Sequence, residues 1–219
     1  MSDARRQPRI LGFYRDYLDR PDYRAFASRV SDFYTVGTLQ RLADHPRREL
    51  RRAAVLALGC VGDYDTNPTL GAALLDDDRT VRILAENGIR QVWVRAAGDK
   101  DRVLLETIIR LNAARQFQKV LRMAGDLITR VPDYAEAWSQ RAYAHHALGQ
   151  YDQSLRDCHE ALELNPYHFI AAVGMGRAYL ELGNALAALE CFRRALRLHP
   201  DLEGVRAQAD RLARLVEGK

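Results

Sequence analysis

Pro132, Pro166 and Pro200 stand 34 residues apart, and that interval limits the fold more than any other feature of the chain. The unit it marks off most clearly, Ala135 to His168, reads as two short helices and a hinge. Trp138, Ala142, His145 and Leu148 recur at steps of four, three and three, which places them on one face of a 3.6-residue helix. Gly149 closes that helix, because glycine accepts the left-handed conformation of a C-terminal cap. A second stripe follows in Tyr151, Leu155, Cys158, Ala161 and Leu162. Asn165-Pro166 stops it, since proline cannot continue a helix and disfavours α geometry in the residue before it.

The same template fits one interval on and one interval back. Ala161 becomes Ala195, Leu162 becomes Leu196, Gly149 becomes Gly183 and His145 becomes Tyr179. Backwards, Tyr151 becomes Phe117, Leu155 becomes Leu121, Trp138 becomes Leu104 and Leu162 becomes Ile128. The small residues Ala142, Gly176, Ala161 and Ala195 fall where two helix backbones must approach closely. A single helical pair cannot bury its apolar side alone, so such units stack on their neighbours.

This pattern resembles a tetratricopeptide repeat array of three units, about 101–134, 135–168 and 169–202. The middle unit carries the signature in Trp138, Ala142, Gly149, Tyr151, Ala161 and Pro166, with His145 at an aromatic position and Ser154 at an alanine position. In the first unit Arg115 stands where the turn glycine is expected. The resemblance implies a concave groove lined by the first helix of each unit. Carried over, Arg102, Leu105, Ile109 and Asn112 come from the first unit, and Glu136, Ser139, Tyr143 and His146 from the second. Ile170, Val173, Arg177 and Leu180 come from the third. Tyr143 and Arg177 are the expected anchors for an extended or helical peptide. A subclass of the family grips the carboxylate of chaperone tails with Lys, Asn and Arg. Here only Asn112 and Arg177 resemble such a cluster, while Leu105, Ile109 and Ile170 occupy donor positions, which argues against that subclass.

Further upstream, residues 36–93 show a shorter period of 31. Thr38 pairs with Thr69, Leu39 with Leu70, Leu50 with Val81, Arg51 with Arg82, Ala54 with Ala85 and Leu58 with Ile89. The spacing predicts helices over about 36–44 and 47–60, then 66–75 and 79–93. The stretch resembles HEAT-like repeats, with Asp78, Val81 and Arg82 meeting the start of the second helix and Arg47 standing where the first copy should carry an acid. Arg47, Arg48, Arg51 and Arg52 fall on one flank of a helix. Two readings stay open: a solvated face partnered by Asp76-Asp77-Asp78, or a docking patch for an acidic peptide or phosphate.

Before these repeats, residues 1–9 are polar and basic, and aromatics crowd Phe13 to Tyr34. Pro21 is expected to open a helix at its first position. Tyr23, Phe26, Val30 and Phe33 then form a stripe that either covers the first repeat's core or offers a docking surface. Ala96-Ala97-Gly98-Asp99 is the one break between the two repeat types, too short for a flexible tether. After Pro200, Leu202, Val205, Ala209, Leu212 and Val216 form a last stripe over 203–217, the pattern of a capping helix. The expected organisation is an N-terminal segment 1–35, HEAT-like repeats 36–97 and a tetratricopeptide domain 98–219. The expected fold class is all-α, a right-handed α–α superhelix running through both halves.

Composition enters as exclusion. A net charge of +4 spread over both halves is not that of a basic nucleic-acid module. No apolar run approaches the roughly 20 residues that span a bilayer. The opening MSDARRQPRI lacks the apolar core of a secretory signal, which makes the cytoplasm the expected location. Cys60, Cys158 and Cys191 are odd in number and lie on apolar faces, as small hydrophobes. There is no phosphate loop, zinc-binding His-Glu motif, Cys pair or nucleophile elbow. His145 and His146 point about 100° apart, and His159 with Glu163 lacks a third ligand. The expectation is therefore a non-catalytic scaffold or adaptor that needs no metal or cofactor and binds a protein or peptide, with no preference as to oligomeric state. Two alternatives remain: a chromophore lyase of the HEAT-like kind, and a self-assembling structural protein using its aromatic N-terminus.

Overall fold

The computed structural model describes residues 8–218, and the described residues are helical throughout, with no strand among them. The chain divides into two compact units between Val92 and Trp93.

In the first unit α1 (Arg9–Asp19) and α2 (Tyr23–Phe33) pack on each other and on α4, where α3 (Val36–Ala43) and α4 (Arg48–Val61) form a helical pair. A 3-10 turn, Tyr64–Thr66, leads to α5 (Asn67–Ala73) and α6 (Arg79–Arg95), whose last turn crosses into the second unit. The 31-residue pairing shows directly in the core: Leu39 and Leu70, Leu50 and Val81, Ala54 and Ala85, Leu58 and Ile89 are all buried. It recurs in the hydrogen bonds. Arg51 donates to the carbonyls of His45 and Pro46, and Arg82 donates to those of Asp76 and Asp77, the equivalent positions.

Two details of the aromatic segment differ from expectation. Pro21 does not open α2. Asp22 caps it, its carboxylate accepting from the Ala25 N–H at 2.9 Å, so the proline lies before the cap. Of the apolar stripe, Phe26 and Val30 are buried while Tyr23 and Phe33 stay largely exposed.

The second unit stacks three helical pairs: α7 (Asp99–Ala113) with α8 (Phe117–Arg130), α9 (Ala135–Ala147) with α10 (Tyr151–Leu164), and α11 (Phe169–Glu181) with α12 (Ala185–Leu198). Each pair packs on the next, and α13 (Glu203–Glu217) lies against α12. Short turns between helices that pack along their lengths make neighbours antiparallel, the build of an α–α superhelix. The turn residues Gly149 and Gly183 take φ of 74° and 75°, and Arg115 takes 56° at the same position. Trp138 donates its indole N–H to the Pro132 carbonyl at 2.8 Å, and Arg206 donates to the Pro200 carbonyl at 2.7 Å. Both donors lie six residues beyond their proline. Gly176 faces the Phe192 ring so closely that a Cβ there would sit 2.4 Å from it. Val205, Ala209 and Leu212 fasten α13 to the stack.

Candidate functional site

The first helices of the three pairs, α7, α9 and α11, repeat the same four positions at 34-residue steps, and burial sorts them into rows. The row Leu105, Ser139 and Val173 is buried, with Leu105 and Val173 inside the apolar clusters. These three present no surface to a ligand. The row Ile109, Tyr143 and Arg177 is the accessible one: Ile109 is half-buried, while Tyr143, 53% exposed, and Arg177 face solvent. His146 and Leu180, half-buried, lie about one turn beyond it, and Arg102 and Ile170, also half-buried, about two turns before it. Arg102 is engaged by Asp99 at 3.1 Å. Phe117 supports the Tyr143 ring edge-on at 6.2 Å, and Tyr151 does the same for His146 at 5.4 Å.

Asn112 and Glu136 are buried for a different reason. They belong to a hydrogen-bond chain that crosses all three pairs. The Asn112 amide donates to the Gln140 carbonyl at 3.0 Å and to Gln140 Oε1 at 2.8 Å. Gln140 Nε2 donates to Glu136 Oε1 at 2.8 Å. Glu136 Oε2 lies 3.1 Å from Nε2 of His168, a fully buried ring. His168 Nδ1 accepts the Ala171 N–H at 3.2 Å as the cap of α11, so Nε2 carries the proton and donates to Glu136. Trp93 stacks on this imidazole at 4.3 Å and 18° and leans on Phe169 at 5.3 Å. A buried carboxylate without such partners would cost several kcal/mol. The chain satisfies it and ties successive pairs together.

Gln140, His168 and Trp93 were not singled out from the sequence. Gln140 and His168 occupy variable positions of the repeat, and Trp93 lies outside it. No local pattern marked them, and Glu136, the acid that Gln140 and His168 partner, was expected to line the groove.

In the first unit the acidic run engages two of the four arginines. Arg51 clasps Asp76 with two bonds of 2.7 and 2.8 Å and reaches Asp77. Arg52 clasps Asp78 with bonds of 2.9 and 2.5 Å. Arg47 and Arg48 stay exposed, Arg48 beside Glu49 at 3.3 Å. The Arg52 hydrogen bond holds the Asp78 carboxyl down at about 2, against the opposing effect of burial. Burial also works against ionised Asp76, but its hydrogen bonds to Arg51 and to the Asp78 N–H outweigh it and leave the group below its ordinary value. Of the cysteines, Cys158 is buried and its thiol is pushed up to about 12 by that burial, which removes it as a nucleophile.

Residues 135–168 and 173–215 match models of the tetratricopeptide repeat family. The chain is 27% identical over 132 residues to a TPR repeat-containing protein of Rhizobium etli, a match covering 60% of this chain and 65% of that one. It is 38% identical over 68 residues to the protein SGT1 homolog of Bos taurus, covering 31% of this chain and 20% of that one. Less than two thirds of either relative is therefore spanned. Among solved structures, the first TPR of Spaghetti (RPAP3), bound to an HSP90 peptide, aligns with a TM-score of 0.53 at 19% identity, covering 55% of this chain and 96% of that one. The Arabidopsis OM64 TPR domain aligns at 0.52 and 24% identity, covering 54% of this chain and 98% of that one.

Proposed function

We propose that this chain, whose second unit is built on tetratricopeptide repeats, is a non-catalytic protein-interaction scaffold that binds a peptide segment along α7, α9 and α11. The observation that carries this reading is the Ile109–Tyr143–Arg177 row: three equivalent positions accessible side by side, above a row of buried ones. An exposed, ring-supported tyrosine and an arginine with no ion pair among the described residues are the residue types that dominate binding energy at interfaces. That one solved neighbour holds an HSP90 peptide supports peptide binding in kind. The apolar Ile109 and Ile170 speak against the same tail as the ligand here. We further read the first pair, 101–134, as a divergent unit of the same array, and 36–97 as HEAT-like.

Photocrosslinking tests the site. A benzophenone amino acid placed at Tyr143 should capture a partner, and Arg177→Glu should reduce that capture at least tenfold while the helical circular-dichroism signal stays intact. Capture that survives Arg177→Glu, or that occurs from α8 or α10 instead, overturns the assignment.

A further inference from the structure

A separate slot lies in the first unit, among α1, α2, α4 and α6. Its cavity of about 150 Å³ is walled by Tyr17, Tyr23, Leu56 and Leu84. The floor is bare backbone: a Cβ on Gly59 would stand 2.7 Å from Gly88 Cα, so α4 and α6 touch there and no side chain fills the space above. The Tyr23 hydroxyl donates to the Gly59 carbonyl at 3.1 Å, which fixes a ring that remains 43% exposed at the mouth. An apolar cavity of about this size accepts a single benzene ring.

The rim is polar and open to solvent. Asn87 and Gln91 line the slot from α6, and neither carboxamide has a hydrogen-bond partner in the described chain. Each carries both donors and an acceptor, the complement of a peptide group. Residues four apart on a helix are about 6 Å apart along its axis. Alternate peptide groups of an extended chain repeat at about 6.6 Å, so the two amides can hold two same-facing groups of one strand. The adjoining cavity, shared by Tyr23, Asn87 and Gln91, adds Arg90, the one charged residue lining either space. Its contact with Glu86 is loose, 3.8 Å with the guanidinium side chain 55% exposed.

From the apolar slot, the paired amides and the single cation, we infer that this site binds the C-terminus of a partner polypeptide ending in an aromatic residue. The ring enters the slot, Asn87 and Gln91 take the last peptide groups, and Arg90 meets the terminal carboxylate. An internal segment would supply the ring and the peptide groups but would bring no anion to Arg90.

NMR titration of the full chain tests this with three peptides: acetyl-Ser-Gly-Phe as the free acid, the same peptide amidated, and acetyl-Ser-Gly-Ala as the free acid. The phenylalanyl acid should shift the side-chain amide resonances of Asn87 and Gln91. Amidation should weaken binding at least fivefold and the alanyl peptide at least tenfold. The double variant Asn87→Ala/Gln91→Ala, altered only at exposed positions, should keep its thermal midpoint and lose the titration. Equal affinity for acid and amide, or unchanged binding by the double variant, overturns the proposal. Shifts confined to Tyr143 and Arg177 would also overturn it and leave the inner-face reading of the second unit standing.

Discussion

Arg115 occupies the left-handed region at φ 56°, where its repeat equivalents Gly149 and Gly183 sit without a side chain. For an L-residue that conformation costs roughly 1–2 kcal/mol. Glycine removes the cost but adds back-chain freedom to the unfolded state worth roughly 0.5–1 kcal/mol. Arg115→Gly should therefore raise stability by up to about 1 kcal/mol, read as a higher urea midpoint with an unchanged slope. A lower midpoint would mean that the arginine side chain does something at this turn that its contacts do not show. The position itself was legible in the sequence, because the 34-residue interval places residue 115 at the turn whatever its identity. Its conformation follows from the neighbours on either side: the chain must still reverse between α7 and α8, and the packing of the pair imposes the turn on a residue that does not favour it. Glu136 shows the opposite case. Its repeat position suggested a groove contact, yet its carboxylate is consumed by Gln140 and His168, a pairing between residues 32 apart that no local pattern announces.

The turn before α6 behaves as a latch on α4. Asp76 and Asp78 grip Arg51 and Arg52 through four bonds of 2.5 to 2.9 Å, while Asp78 also caps α6 by accepting the Val81 N–H at 3.0 Å. The Asp78 carboxyl titrates at about 2 in the folded chain, below its ordinary 3.8. Between those values the unfolded chain binds more protons, so stability falls as pH falls. The latch thus contributes in full above about pH 4 and is lost as pH drops through about 2. Asp78→Asn retains a capping oxygen but loses the charge. Its urea midpoint should be lower than that of the parent at pH 7, and the gap should narrow as the pH is taken from 4.5 to 2.5. A gap of constant size would show that the ion pair is not the source. The pairing of an arginine flank with an acidic run was one of two readings open from the sequence. Only the packing of α4 beside the α5–α6 turn shows which arginines the acidic run engages, namely Arg51 and Arg52. The glycine contact of α4 with α6 had no comparable signal, since Gly59 and Gly88 are 29 residues apart and fall outside the 31-residue register.

At the scale of the whole molecule, the second unit begins earlier than the break in composition suggests. Ala96-Ala97-Gly98-Asp99 looks like the natural seam, yet the compact unit starts at Trp93. The reason is packing: the indole, 2% exposed, lies on His168 and Phe169, and the Val94 carbonyl accepts the Tyr134 hydroxyl. Removing a buried tryptophan from a core typically costs about 3–5 kcal/mol. A fragment covering residues 93–219 should accordingly be more stable than one covering 98–219 by about 3 kcal/mol, measured by urea unfolding of each. Equal midpoints would place the start of the unit at the compositional break instead.

The sequence by itself determined the helices, their pairing and the positions of their turns, because those follow from apolar periodicity, glycine and proline, all of which act within a few residues. Through the repeat resemblance it also pointed to one face of each first helix as the expected binding face. The tertiary structure alone decided which residues of that face remain available. Leu105, Val173, Asn112 and Glu136 are closed off by partners up to a full repeat away, while Tyr143 and Arg177 are left open. Burial is a property of what comes to lie alongside, and in a stacked fold that neighbour is distant in the chain even when it is adjacent in space.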